Sequence, residues 1–110
     1  MHVDDDTRMQ HIHEAAREAL ELMGDASRND LDSDRKLSLA VVRLLEIIGE
    51  AANGVSSEYQ QAHPDLPWAG MISMRNRLIH GYFDVNLDVV WKTMKEDLPE
   101  LLRRLDSAPG

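Results

Sequence analysis

Apolar residues recur every three or four positions over most of the chain, which is the spacing of one helix face. The first such repeat follows three acids at residues 4–6, which can cap a helix, and it ends at Gly24. The second spans residues 35–53 and is apolar on more than one face, as expected of a helix in a central position or at a subunit interface. The pattern therefore predicts two long helices, joined by a polar loop over residues 25–34.

The second half of the chain predicts two further helices. A short helical extension at residues 56–62 and a proline-containing connector precede helix three, which should end near Gly81. Helix four follows a cap region at residues 84–86, and Pro99 should bend it near Asp97. Residues 106–110 should form a frayed tail. With no alternating strand pattern, we predict an all-α fold, an antiparallel four-helix up-and-down bundle with a short extra helical segment.

The composition fits one small helical domain. The 110 residues are 43% hydrophobic but include only two Trp, two Tyr and one Phe, so the core should be aliphatic. We take residues 1–110 as a single domain with a core of about residues 5–105. The lack of cysteine fits a reducing compartment, and no apolar stretch approaches the ~20 residues that span a bilayer. A cytoplasmic protein that does not contact membranes is expected.

The net charge of −8 is unevenly distributed. Residues 1–34 hold ten acids and three bases, whereas residues 35–110 hold ten acids and nine bases. The segment 68–83 contains two arginines and no acid. Because like charges repel, a polyanion such as RNA would have to approach this segment and avoid the acidic first third of the chain.

Segment 68–83 places polar side chains on a helix face that should be buried. Helical steps from Trp68 and Met71 lead to Arg75 and then to Leu78, so a guanidinium occupies the middle of the apolar stripe. His80 follows five residues after Arg75, and Tyr82 comes two residues later. An arginine binds phosphate bidentately and a histidine exchanges protons near neutral pH, so this combination indicates phosphate chemistry.

Helix geometry limits how Arg75 and His80 can act together, since residues five apart are separated by about 140° on an ideal helix. They could converge if His80 lay in the last turn of a helix ending at Gly81, or if two copies of the chain shared one cleft. A homodimer, which the apolar surface of helix two also favours, would bring Arg75, Asn76 and His80 of both copies together. His80 could then donate a proton while its symmetry mate acts as the base, and Arg75 could stabilise the transition state without a metal.

Two other interpretations of these residues stay open on spacing alone. Arg75 could be an interface arginine paired with Glu46 or Glu50, which lie four residues apart on helix two, with His80 and Tyr82 as packing residues. Alternatively, the two glutamates and nearby histidines could hold a metal ion. No third ligand is evident for such a site, and His11 and His13 fall on different helix faces. No metal is therefore expected.

Residues 74–83, Met-Arg-Asn-Arg-Leu-Ile-His-Gly-Tyr-Phe, resemble the Arg-polar-x-x-x-His-x-Tyr signature of HepT-type toxins in the HEPN domain family. Residues 44–52, 63–68, 88–91 and 97–99 are similar to other segments of that family, in the same order and at matching distances. The resemblance covers about residues 5–105. It implies a four-helix HEPN bundle, a homodimer with the active cleft at its interface, and metal-independent cleavage of RNA.

The resemblance also implies roles for single residues. It assigns Arg75 and His80 as catalytic and Asn76 as the polar position after the arginine. It further implies that Tyr82 receives AMP from ATP through a partner antitoxin, a minimal nucleotidyltransferase (MNT). Such a group would place negative charge and bulk beside Arg75 and repel an RNA phosphate. Candidate supporting residues are Glu46, Glu50 and Arg77, and no cofactor is expected.

Two hypotheses for function follow. The first is a ribonuclease toxin of a type II/VII-like toxin–antitoxin system, neutralised by AMPylation of Tyr82. The alternative is a non-catalytic HEPN binding or adaptor subunit that partners a nucleotidyltransferase. The acidic charge balance favours the alternative, whereas the presence of Arg75, Asn76, His80 and Tyr82 together favours the toxin, because a binding subunit has no chemical need for all four.

Overall fold

Most residues that the computed structural model describes, 4–80 and 84–107, lie in helices. Helix α1 (Asp5–Met23) begins after Asp4, whose carboxylate accepts a hydrogen bond from the backbone N–H of Thr7 at 2.8 Å. It ends at Gly24, whose φ of +45° is a conformation that side-chain-bearing residues rarely adopt. The predicted first helix and its glycine stop are confirmed.

The loop predicted over residues 25–34 contains a short helix, α2 (Arg28–Ser33). A capping box starts it, since the Ser27 hydroxyl accepts from the backbone N–H of Asp30 while the Asp30 carboxylate accepts from that of Ser27. One buried residue, Leu31, anchors the helix in the core. A single apolar residue produces no periodic signal, so the pattern of the sequence did not reveal this helix.

Helix α3 (Arg35–Gly54) is the centre of the fold, which is one of the two positions that its apolar faces allowed. It packs against α1, α2 and the two short helices α5 (Trp68–Ile72) and α6 (Met74–Leu78). Its buried residues therefore face several directions: Val41, Val42, Leu45, Ile48, Gly49, Ala51 and Ala52. The predicted helical extension is present as α4 (Ser57–Ala62).

Helix three departs from the prediction because it is broken and shorter. Ser73 separates α5 from α6, and α6 ends at Leu78 rather than near Gly81. The chain then forms two antiparallel strands of two residues each, β1 (Ile79–His80) and β2 (Asp84–Val85). The backbone N–H of Asn86 donates to the carbonyl of Leu78 at 2.7 Å and closes this pair at its base. Strands this short produce no alternating pattern, which is why they were not predicted.

Helix four is irregular at the place where a bend was predicted. It starts as α7 (Leu87–Lys92), passes through a π-helical turn at Thr93–Asp97 and continues as α8 (Leu98–Ser107). The backbone N–H of Leu98 bonds to the carbonyl of Thr93, five residues back. Because Pro99 has no N–H and its ring crowds the preceding turn, the helix accommodates it by widening there.

The end of α8 corrects the predicted tail. Asp106 and Ser107 belong to the helix, although they were expected to fray with residues 108–110. The Asp106 carboxylate lies 2.7 Å from Nε2 of His13 and 3.9 Å from the guanidinium of Arg17, both on α1. This contact holds the last turn of α8 against the first helix. Residues 1–3, 81–83 and 108–110 lie outside the described part of the chain.

The structure confirms the all-α class and leaves the finer arrangement as a prediction. The described residues are predominantly helical, with the strand pair as a small addition. The antiparallel four-helix up-and-down bundle, the homodimer and the single-domain boundaries stay predictions. Among residues 4–80 and 84–107, no helix combines the length and apolar character that crossing a membrane requires.

Glu100 links α8 to the connector before α5 through an arginine. Its carboxylate accepts hydrogen bonds from Arg103 and Arg104, and Arg104 also donates to the carbonyl of Asp65 at 2.9 Å. The hydrogen bonds from Arg103 and Arg104 lower the pKa of Glu100 from its ordinary value of 4.5 to about 2. A lowered carboxyl pKa stabilises the fold above the unfolded-state value, and that contribution disappears as the pH falls from about 4.5 to about 2.

Glu100→Gln is therefore expected to lower the thermal unfolding midpoint at pH 7, with a difference from wild type that narrows as the pH falls below 4.5. Thermal unfolding followed by circular dichroism at pH 7, 5, 4 and 3 measures this difference. Glu18→Gln, an exposed change on α1, is the matched control for the altered net charge. A constant difference for Glu100→Gln across these pH values would contradict the expectation.

Candidate active site

Arg75 lies at the surface of the chain rather than in its core. Its side chain is 53% exposed, whereas Met71, Met74 and Leu78 of the same segment are buried. The apolar stripe therefore passes through Met74, one residue before Arg75. Steps of three and four residues fit a stripe through Arg75 as well as one through Met74, so the spacing did not distinguish the two. The prediction that the guanidinium occupies a buried face is wrong for the single chain.

Glu46 is the residue that faces Arg75. Nε of Arg75 lies 3.5 Å from Oε2 of Glu46, so the ion pair connects α6 to the central helix α3. Glu46 is 21% exposed and is thus the more buried partner. Glu50, the other predicted acceptor, instead accepts a hydrogen bond from Arg43 on its own helix at 3.4 Å. Of the two glutamates predicted as possible partners, Arg75 therefore pairs with Glu46.

Gly49 allows the two helices of this ion pair to approach each other. A Cβ atom built on Gly49 would lie 3.1 Å from the carbonyl oxygen of Met71 and 3.9 Å from the backbone nitrogen of Arg75. The first of these distances is shorter than ordinary van der Waals contact, so a side chain there would have to displace backbone. Gly49 follows Glu46 by three residues, close to one helical turn. It therefore fixes how near α3 lies to the backbone of Arg75.

Asn76 and Arg77 border a surface cavity between α6 and the segment formed by α7 and the π-helical turn. Asn76 is exposed. The Arg77 guanidinium donates to the carbonyl of Gly70 at 3.0 Å and lies 3.7 Å from the carboxylate of Asp97. Arg75 and Arg77 are thus held by different carboxylates, on different helices.

His80 occupies the second position of β1, opposite Asp84 of β2. The expectation that it lies in the last turn of a helix is wrong, since α6 ends two residues earlier. The description of His80 is confined to its backbone, and the predicted modification site Tyr82 lies outside the described residues. Convergence of His80 with Arg75 in one cleft stays a prediction.

The residues of the metal hypothesis are engaged in other contacts. His13 pairs with Asp106 and Glu50 with Arg43. Within residues 4–80 and 84–107, no cluster of three His, Asp or Glu side chains is arranged to hold a metal ion. The described part of the site consists of an exposed arginine, its carboxylate partner, and a histidine on the strand that follows.

Arg75, Asn76 and Arg77 form an exposed stretch of α6 that leads into the strand carrying His80. The profile of the family described as "Ribonuclease HepT-like" matches residues 12–108. The chain belongs to this family. The resemblance noted from the sequence and the predicted enzyme class, an endoribonuclease, are confirmed.

Individual relatives agree with this assignment. The chain is 46% identical over 88 residues to a protein of Thermococcus cleftensis named "Probable ribonuclease HepT", an alignment covering 76% of this chain and 80% of that protein. It is 35% identical over 95 residues to a provisionally named RNase of Methanocaldococcus jannaschii, covering 86% and 87% of the two chains. It is 36% identical over 97 residues to another such protein, from Caldanaerobacter subterraneus, covering 88% and 87%. No solved structure is significantly similar to the chain.

Proposed function

We propose that this chain is a metal-independent endoribonuclease and the toxin of a type II/VII-like toxin–antitoxin system. The observation that carries the proposal is the position of Arg75, which is half exposed and held at the surface by Glu46. A phosphate of RNA can reach a guanidinium in this position without any unfolding of the core. Membership of the HepT-like ribonuclease family supports RNA as the substrate.

The ion pair with Glu46 leaves Arg75 able to bind phosphate. Glu46 faces the Nε edge of the guanidinium, whereas arginine carries further N–H donors on its two Nη atoms. Those donors can bind two oxygens of one phosphate in parallel. As the 2′-oxygen attacks, negative charge grows on those phosphate oxygens, so the interaction strengthens in the transition state and lowers the barrier.

The proposed reaction needs two proton transfers. The 2′-oxygen forms a bond to the adjacent phosphorus and gives its proton to a base, while the bond from phosphorus to the 5′-oxygen breaks and that oxygen takes a proton. In our proposal, the imidazolium of one His80 supplies the second proton and His80 of a second copy accepts the first. The products are a 2′,3′-cyclic phosphate and a 5′-hydroxyl end.

The proposal includes a homodimer of single-domain, four-helix HEPN subunits. Leu39 on α3 is 55% exposed, which is unusual for a large apolar side chain. It borders a surface cavity of about 240 Å³ that is also lined by Val42, Val85 and Leu87. Because Val85 belongs to the strand paired with β1, a second copy packed on this surface would lie next to the strand carrying His80. These features support an interface beside the site.

Cleavage of single-stranded RNA by the purified chain in the presence of EDTA tests this function. We expect cleavage to persist in EDTA and to leave cyclic phosphate ends, which mass spectrometry distinguishes from linear phosphates. Light scattering of the same preparation should give the mass of two chains. Folded protein that neither cleaves RNA nor arrests growth when expressed would instead support the non-catalytic adaptor.

We also propose that an MNT-type nucleotidyltransferase is the antitoxin and that Tyr82 is its target. The phenolic oxygen of Tyr82 would attack the α-phosphorus of ATP, forming a phosphodiester as the bond to pyrophosphate breaks and the phenolic proton is released. The resemblance to the HepT-type signature supports this role, because Tyr82 stands at the tyrosine position of that signature, two residues after His80. The added negative charge would compete with RNA for Arg75.

Tyr82→Phe is expected to retain RNA cleavage but to gain no AMP when incubated with the nucleotidyltransferase and ATP. The phenyl ring keeps the shape of the side chain and lacks the attacking oxygen. Intact mass spectrometry measures the gain, and Tyr59→Phe, the other tyrosine of the chain, is the matched control that should still be modified. An AMP adduct on the Tyr82→Phe protein would identify a different acceptor.

A further inference from the structure

A cation-lined cavity beside Asn76 is not used by the proposed reaction. It has a volume of about 480 Å³ and lies between α6 and the segment formed by α7 and the π-helical turn. Its lining residues are Asn76, Arg77, Val89, Lys92, Thr93 and Asp97. The hydroxyl of Thr93 donates to the carbonyl of Val89 at 2.8 Å and is thus already engaged. The side chains able to bind a ligand here are therefore one amide, two cations and one carboxylate.

Arg77 is oriented before any ligand arrives. Its guanidinium is fixed by the carbonyl of Gly70 at 3.0 Å and by Asp97 at 3.7 Å. Arginine has five N–H donors, so these two contacts leave others for an anion. A preorganised guanidinium loses less conformational entropy on binding than a mobile one.

Lys92 supplies the second positive charge. It is the last residue of α7, and its side chain is exposed. Together with Arg77 it outweighs the single charge of Asp97, so this cavity has a positive balance in a chain whose net charge is −8. The neighbouring cavity across the Arg77–Asp97 pair has a negative balance, because its two arginines, Arg77 and Arg104, face three carboxylates: Glu96, Asp97 and Glu100. A phosphate should therefore prefer the side of Lys92.

We propose that Asn76, Arg77 and Lys92 bind a second phosphate of the RNA strand whose first phosphate is held by Arg75. On an ideal helix Arg75 and Arg77 are separated by a rotation of about 200°, with Asn76 halfway between them, so they lie on nearly opposite faces. A strand that crosses the exposed Asn76 meets Arg75 on one side and the Lys92 cavity on the other. This inference rests on the proposed function, because it assigns a second subsite for the same substrate.

The test is RNA binding by the full chain under conditions that exclude cleavage. The probe is a fluorescein-labelled single-stranded RNA with 2′-O-methyl groups throughout, and binding is followed by fluorescence anisotropy at several salt concentrations in EDTA. Lys92→Met is expected to weaken binding about three- to ten-fold and to reduce the slope of log affinity against log salt by about 0.7, the value for one contact to a single strand. Lys36→Met, an equal charge change at an exposed position of α3, is the matched control.

A second variant should act in the opposite direction. Asp97→Asn removes the negative charge from the cavity while keeping a hydrogen-bond acceptor for Arg77, so binding should tighten about two- to five-fold. Glu58→Gln, an exposed charge change on α4, controls for the altered net charge. Equal effects of Asp97→Asn and Glu58→Gln would count against the phosphate site.

The outcomes separate this inference from the proposed function. If wild type binds and cleaves RNA while Lys92→Met behaves like Lys36→Met, the second subsite is wrong and the nuclease stands. If wild type neither binds nor cleaves RNA, both proposals are wrong. If Lys92→Met loses affinity for free AMP but keeps full affinity for RNA, the cavity binds a mononucleotide and the RNA assignment is overturned.

Discussion

Arg75→Ala is expected to reduce the rate of RNA cleavage by about a hundred- to a thousand-fold, the usual effect of removing one preorganised donor to a developing charge. His80→Ala should cost at least about a hundred-fold, because it removes proton transfer. The measurement is the single-turnover cleavage rate in EDTA with enzyme in excess, which reports on chemistry rather than product release.

The fold should survive Arg75→Ala. The ion pair with Glu46 involves a half-exposed arginine, and such pairs contribute at most about 1 kcal/mol to stability. Arg43→Ala is the matched control, since this exposed arginine on α3 also pairs with a glutamate, Glu50. Its cleavage rate should stay within about two-fold of wild type, as expected for a surface change away from the site. Equal rates for both arginine variants would show that Arg75 has no part in the chemistry.

Gly49→Val is expected to destabilise the chain by about 1–3 kcal/mol, as overpacking usually does. The cause is the 3.1 Å approach between a Cβ at this position and the carbonyl oxygen of Met71. The valine methyl groups extend further and push α5 and α6 away from α3. Because α6 carries Arg75, the cleavage rate should fall as well, even under conditions where the protein stays folded. Urea unfolding and the single-turnover rate measure the two effects.

Gly70→Val provides the comparison for Gly49→Val. Gly70 also lies within a helix, but the nearest atom to a Cβ built there is Cβ of Pro67 at 3.8 Å, an ordinary contact. The change should leave stability within about 1 kcal/mol of wild type, since glycine is itself a poor helix former. If Gly49→Val were as well tolerated as Gly70→Val, the close approach of α3 to α5 and α6 would not be a constraint on the site.

The long helices could be predicted because each buries enough residues to establish a period. Helix α1 and the central helix α3 are within one residue of their predicted ends at Gly24 and Asn53. The elements that were missed depend on local hydrogen bonds: the capping box of α2, the break at Ser73 and the two-residue strands. Such features involve too few apolar residues for periodicity to detect them.

The candidate site was predicted in its identity but not in its geometry. Arg75 attracted notice because it interrupts an apolar stripe, and yet the stripe that forms passes through Met74. Whether Arg75 pairs with Glu46 or Glu50 depends on how α6 packs on α3, and the sequence alone does not specify that packing. Gly49 carried a weak signal as a glycine within an apolar helix. Lys92 carried none, since its role depends on the cavity formed with α6.

The contact between Arg75 and Glu46 also bears on which anions the site admits. The carboxylate leaves the Nη donors to a phosphate but offsets part of the positive charge, so an isolated inorganic phosphate should be held there only weakly. A polymer that simultaneously contacts Arg77 and Lys92 adds the free energy of a second, linked binding event. In the proposed complex, the charge of Glu46 would therefore disfavour short substrates that contact Arg75 alone. Free nucleotides, which are abundant in any cell, would therefore bind to this site only weakly.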